Sequence, residues 1–188
     1  MEMTGEYFIP ADRTTVWAAL NDTEILKRSL RGCERLERID DSRMAGTVTV
    51  KVGPVKMTMT GEANFSDIDP PNGYRIAGEG KTGPAGYVKG GTTVRLSDDG
   101  SDTVLTYTVD ATLSGKLAQL GSRVIDAAAK KMADDFFQRL SDEISQGHRL
   151  PESMPAAADT PDRSGGSWKW WILAGVAAVT IVVLALSR

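Results

Sequence analysis

The groups able to do covalent chemistry are few in this chain and stand far apart. It has one cysteine, Cys33, and one histidine, His148. A thiolate nucleophile needs a base held beside it. His148 sits in "GHRLPESMPAAADTPDRSGGS", residues 147–167, which has three prolines and no Phe, Tyr or Trp and so buries too little to hold a base in place. Cys33 is therefore expected to pack in a turn and His148 to be solvated. The same pair leaves no internal disulfide and no metal site. "GKT" at Gly80 to Thr82 has the ending of a phosphate loop. The glycine that motif needs five residues earlier is Arg75, and Gly83 and Pro84 follow where a helix would have to begin. Asp110 and Glu79 are an acid/base pair by type, but both fall in stretches of alternating polarity, where such residues face solvent.

Charge is more telling than chemistry. Four of the 22 basic and three of the 25 acidic residues lie from 147 onward, so residues 1–146 carry 18 basic against 22 acidic side chains. That balance excludes a nucleic-acid footprint. Within it, Lys27, Arg28, Arg31, Arg35 and Arg38, against Glu34 and Glu37, form a local basic excess. Beside an anionic membrane such a cluster attracts lipid at about 1 kcal/mol per residue, and it suits an acidic partner equally well. An ordinary solvated helix and strand would carry the same residues.

The elements that must position these residues follow from changes of period. Residues 3–9 alternate and predict a strand; Pro10 then opens a helix, "ADRTTVWAALND", with Val16, Trp17 and Leu20 on one side. A short helix over Thr23 to Leu30 comes next. Period two then dominates for about eighty residues. Val48, Val50 and Val52 alternate with polar neighbours, as do Val55, Met57 and Met59, and "VGPV" between the two runs predicts a tight reversal. Further strands are expected over Tyr74 to Gly80, Tyr87 to Leu96 and Thr103 to Leu113. Leu117, Leu120, Val124, Ala128, Met132, Phe136 and Leu140 recur at three- and four-residue spacing and predict a long closing helix. The order implies an α+β domain over 1–146, a curved antiparallel sheet around one C-terminal helix.

Residues 147–167 read as a flexible linker, and 168–188 as a different kind of segment. Trp170 to Ser187 carries no charge, and its eighteen residues span roughly 27 Å as a helix, close to the thickness of the hydrocarbon layer. Trp168, Trp170 and Trp171 suit one water–lipid boundary, with Lys169 and Arg188 snorkelling at the ends. A single C-terminal transmembrane helix is expected. Arg163 and Lys169 precede it and only Arg188 follows, while "MEMTGEYFIPADRTTVW" has acidic residues where a signal peptide is basic. On both features the domain is expected on the cytoplasmic side of the cell inner membrane.

Element order and four phrases resemble the helix-grip superfamily, also called START-like, Bet v 1-like or SRPBCC. The phrases are "IPADRTTVWAALND", "VGPVKMTMTGEA", "YRIAGEGKTGPAGYVKGGTTVRL" and "TYTVDATLSGKLAQLGSRVIDAAAKKMADDFFQRL". Within the superfamily they are similar to the carbon monoxide dehydrogenase G-subunit family. That family commonly reads "IPGC" after the second helix, where this chain has "SLRGC", with Leu30 and Arg31 before Gly32 and Cys33. The resemblance implies a non-catalytic partner that brings an aerobic molybdenum CO dehydrogenase-type oxidoreductase to the cytoplasmic membrane, with no covalent cofactor.

Helix-grip proteins often keep a gap between sheet and long helix that takes hydrophobic ligands. Met57, Met59, Tyr107, Leu120, Val124, Ala128 and Met132 are the candidates to line it, since adaptable methionines and small residues suit such a site. A hydrophobic small molecule, a respiratory quinone or another lipid, is the expected occupant. The other readings are an assembly or maturation factor for the oxidoreductase and a cyclase- or hydrolase-like enzyme. The enzyme needs Asp110 and Glu79 to converge on the gap.

Overall fold

The alternating stretches pair into one antiparallel sheet, and the apolar half of each strand faces the helices. The computed structural model describes residues 2–147 apart from Pro54, Pro84 and Ala85. In chain order the elements are β1 (Glu2–Ile9), α1 (Arg13–Leu20), α2 (Thr23–Ser29), β2 (Cys33–Asp40), β3 (Arg43–Val52), β4 (Val55–Asp69), β5 (Gly73–Lys81), β6 (Tyr87–Asp99), β7 (Asp102–Leu113) and α3 (Ser122–Gly147). The sheet order is β1-β7-β6-β5-β4-β3-β2, so the two strands flanking α1 and α2 are its edges. The sheet curves around α3, whose backbone comes closest to α2 and α1 and, within the sheet, to β3. The reversal expected at "VGPV" is present: Val52 pairs with Val55, and Gly53 takes φ 55°, a dihedral that suits glycine.

Local chemistry fixes the helix starts. α1 begins at Arg13 and not at Pro10, because Asp12 stays extended and its carboxylate accepts the amide of Thr15 at 3.0 Å. Asp22 caps α2 in the same way through the amides of Glu24 and Ile25. α1 buries Val16, Trp17, Ala19 and Leu20, and Asn21 closes its end by donating from Nδ2 to the Trp17 carbonyl at 2.7 Å. The strand β2 is not among those read from the sequence. As an edge strand it buries Leu36 alone, so it lacks a clear alternating signal.

The closing helix differs from its expected form in start and in face. Gly121, at φ 82°, separates α3 from a short 3-10 turn at Ala118–Leu120, so Leu117 and Leu120 precede the helix. Its buried face is Ile125, Ala129, Ala133, Phe136, Phe137, Leu140 and Ile144. The expected stripe stepped by fours, and each step of four turns about 40° past a full rotation. Counted back from Phe136, Met132 and Ala128 drift to half-buried positions and Val124 emerges at 39% exposure.

The anchor expected at 168–188 and all of the expected linker after Gly147 lie outside the described residues. Among the described residues no helix is long and apolar enough to cross a membrane.

Candidate functional site

The concave face of the sheet is defined by strand parity. Buried positions alternate along β3 to β7, and the register joins them into rows across the strands. One row runs Met44, Ala63, Gly78, Gly90, Ala111 from β3 to β7. The adjacent row runs Gly46, Gly61, Gly80, Val88, Leu113. Seven of these ten positions are glycine or alanine, which leaves a block of the inner face almost without side chains.

Large residues border this block. Met57 and Met59 on β4 and Tyr107 on β7 are all buried on the concave face, on the side the ligand reading requires. Two of them lie flat over glycines. A Cβ on Gly80 would stand 2.4 Å from the Met59 sulfur, and one on Gly5 would stand 2.4 Å from the Tyr107 ring. On α3, Ala128 and Met132 pack half-buried at the margin of the core, as does Leu120 before the helix; Val124 approaches the Gly53 turn instead of the interior. The remaining candidates are thus distributed between the concave face and its rim.

Tyr7, Tyr107 and Phe137 form a stacked group that fastens β1 and β7 to α3. Ring centroids are 4.1 Å apart for Tyr7 and Phe137, 5.9 Å for Tyr107 and Phe137 and 6.0 Å for the two tyrosines. The Tyr7 hydroxyl donates to Asp134 Oδ1, and Lys130 Nζ stands 2.9 Å from Asp134 Oδ2. Burial, and then the carboxylate, hold the Tyr7 hydroxyl protonated far above its usual range. The same hydrogen bond keeps Asp134 below the usual carboxylate range. Tyr7 is therefore a donor and not a base. Its meeting with Asp134 was not legible in the sequence, where Asp134 sits outside the apolar stripe.

The interior also contains polar atoms that lack hydrogen-bond partners among the described residues: Thr92 Oγ1, Tyr74 Oη and Trp17 Nε1. Tyr74 stands against Trp17 with centroids 5.3 Å apart, and burial holds its hydroxyl well above the usual range. Strand parity alone reveals Thr92, since it shares a face with Val88, Gly90, Val94 and Leu96.

The other candidate chemistry does not converge. Glu79 and Asp110 both lie on the convex face, opposite in parity to Gly80 and Ala111, so they make no acid/base pair within the grip. Gly80 and Lys81 end the strand β5. Cys33 opens β2 half-buried, with burial raising its thiol pKa. The preceding Gly32, at φ 80°, must be glycine, because a Cβ there would lie 2.1 Å from the Thr49 carbonyl oxygen. Among the described residues no cluster of His, Cys, Asp and Glu is arranged to hold a metal ion.

The basic residues are placed on α2, on the turn after it and on β2. Arg28 Nε is 2.6 Å from Glu143, Arg31 is 3.6 Å from Asp135, and Arg35 Nε is 2.6 Å from Glu37. Lys27 lies in the last turn of α2, where a cation complements the helix end. Arg38 is partly buried, and loss of solvent lowers its pKa. Of the five, only Arg28 and Arg31 border the surface groove of about 420 Å³ between α2 and α3, which Arg139, Asp135, Asp142 and Glu143 also line. The surface is one of compensated charge.

Solved structures share this architecture. A conserved protein from Geobacillus kaustophilus is 29% identical, covers 79% of this chain and 98% of its own, and superposes with a TM-score of 0.74. The Zhui aromatase/cyclase from Streptomyces sp. R1128 is 15% identical over 82% of this chain and 99% of its own, with a TM-score of 0.57. Ara h 8.0201 is 12% identical over 78% and 98%, with a TM-score of 0.56. The latter two likenesses concern the fold alone. No curated protein matches the chain. The family described as the carbon monoxide dehydrogenase G-subunit, CoxG, matches residues 5–145, which begin in β1 and end in the last turn of α3. Sheet, grip and closing helix thus fall inside one match, and the chain belongs to the carbon monoxide dehydrogenase G-subunit family.

Proposed function

We propose that the protein is an accessory without chemistry of its own. Residues 168–188 tether it to the cytoplasmic membrane, where it recruits a molybdenum CO dehydrogenase-type oxidoreductase. In the grip between sheet and α3 it carries an apolar ligand, a respiratory quinone or another lipid. The observation that carries the reading is the concave face: apolar residues surround a block cleared to glycine and alanine, and the acidic residues suited to catalysis point the other way. Family membership supports the choice of partner.

Geometry gives the tether a use. An oxidoreductase of this class passes electrons to quinone dissolved in the bilayer. A flexible linker of about twenty residues has a root-mean-square reach of roughly 25 Å, enough for the domain to visit both the bilayer surface and a docked enzyme. The test is mass spectrometry of lipid extracted from full-length protein purified from its own membrane. Near-stoichiometric quinone or another single lipid is expected, and an extract without one overturns the carrier reading. Deleting 168–188 separates the assembly-factor alternative: the carrier requires that segment for electron delivery, whereas an assembly factor leaves the enzyme mature and active without it.

A further inference from the structure

Five polar residues are buried among the described residues: Asn21, Ser29, Thr82, Thr92 and Thr103. Four satisfy their side chains internally. Asn21 donates to the Trp17 carbonyl at 2.7 Å, Ser29 to that of Ile25 at 2.8 Å, Thr82 to that of Gly86 at 2.8 Å and Thr103 to that of Ala11 at 2.7 Å. Thr92 is the exception: it is 5% exposed and its Oγ1 has no partner among the described residues. A fold retains a buried hydroxyl without a partner where something else supplies one.

The position of Thr92 indicates what supplies it. On the concave face its cross-strand neighbours are Ile76 and Val109, which offer no side-chain polar atom. Two residues along β6 is Gly90, in the row with Ala63, Gly78 and Ala111. That row crosses four strands, a span of about 14 Å by the strand spacing. In the neighbouring row Gly61 and Gly80 widen it on β4 and β5, with Met59 lying over Gly80, and Val88 and Leu113 bound it on β6 and β7. A planar ring system fits such a row because peptide planes without side chains let it approach closely. Thr92 is the next concave-face position on β6, at the edge of that row.

We infer that Thr92 is the polar anchor of the grip and donates its hydroxyl proton to an oxygen on an apolar, ring-containing ligand lying against the Gly/Ala block. This inference rests on the ligand-binding reading above and adds the residue that discriminates among apolar ligands. Binding specificity then comes from one hydrogen bond made in a dry site, where an analogue lacking the oxygen leaves the hydroxyl unpaired.

The test is calorimetric titration of full-length protein in detergent with two probes. Menadione has two fused rings bearing carbonyl oxygens, and methylnaphthalene has the same rings without them. Thr92→Val keeps the shape and removes the hydroxyl, and Thr92→Ser restores it. Thr92→Val is expected to weaken menadione binding about five- to tenfold, leave methylnaphthalene binding unchanged and melt no lower than the parent without ligand; Thr92→Ser is expected to bind menadione within about twofold of the parent. Equal affinity of parent and Thr92→Val for menadione, or equal losses for both probes, overturns the anchor and leaves the ligand reading standing. Failure of the parent protein to bind either probe overturns the ligand reading and the anchor with it.

Discussion

Tyr7 and Asp134 are 127 positions apart and meet because β1 lies at the sheet edge beneath the middle of α3. Their hydrogen bond has opposite consequences at the two ends of the pH scale. The folded pKa of Tyr7 is raised, so its stabilisation is fully present below the unfolded value of about 10 and is lost as pH rises, when the unfolded tyrosine ionises and the folded one does not. The folded pKa of Asp134 is lowered, so its contribution is present above the unfolded value of about 4 and fades as pH falls. Tyr7→Phe should cost about 1 kcal/mol at neutral pH, a modest value because the Asp134 carboxylate is 46% exposed. Urea melts should show that the variant has lost part of the alkaline decline, with Tyr74 and Tyr107, whose pKa values are also raised by burial, supplying the rest. An unchanged alkaline slope would refute the assignment. At this scale the sequence was legible in part. Met57, Met59 and Tyr107 lie on the expected face because alternation is a two-state signal, whereas the Tyr7–Asp134 pair depends on tertiary approach that no local pattern encodes.

The elements divide according to how strongly one face outweighs the other. The strands β3 to β7 each bury alternate residues against a solvated outer face. The sequence places β5, β6 and β7 within three residues at each end, whereas its runs at Val48–Val52 and Val55–Met59 cover only part of β3 and β4, which reach back to Arg43 and on to Asp69. The edge strand β2 lacks that contrast, and α1 begins where a capping carboxylate sets it and not at the nearest proline. α3 is the instructive case. Apolar residues occupy more than one face, so counting by fours follows a stripe that winds away from the core, while the buried set keeps close to the true helical period. The two faces make opposite predictions one residue apart. Ile125→Ala should cost about 2–4 kcal/mol, since a fully buried isoleucine leaves a cavity, and Val124→Ala should cost less than about 0.5 kcal/mol. Thermal or chemical denaturation of the pair checks the assignment, and equal losses would return Val124 to the interior.

For the whole molecule, the proposed membrane attachment can be assigned to the domain or to the tail. Residues 1–146 carry 18 basic and 22 acidic side chains, so an anionic bilayer repels the domain on average. The local basic excess offers little to offset this, because Arg28, Arg31 and Arg35 already face Glu143, Asp135 and Glu37 at ion-pair distances. A lipid phosphate would have to compete with carboxylates held in place by the fold. In the proposed tether the eighteen uncharged residues after Lys169 act by another mechanism, burial of apolar surface, which salt does not screen. The two contributions therefore separate in a sedimentation experiment with phosphatidylglycerol vesicles. The full chain should pellet at low and at high salt, and residues 1–147 should remain in the supernatant at both. Pelleting of the shorter chain at low salt, with release as salt is raised, would make the α2–β2 arginines a lipid-docking surface despite their partners. Retention of the full chain in the supernatant would remove the tether, and with it the reach on which delivery between bilayer and enzyme depends.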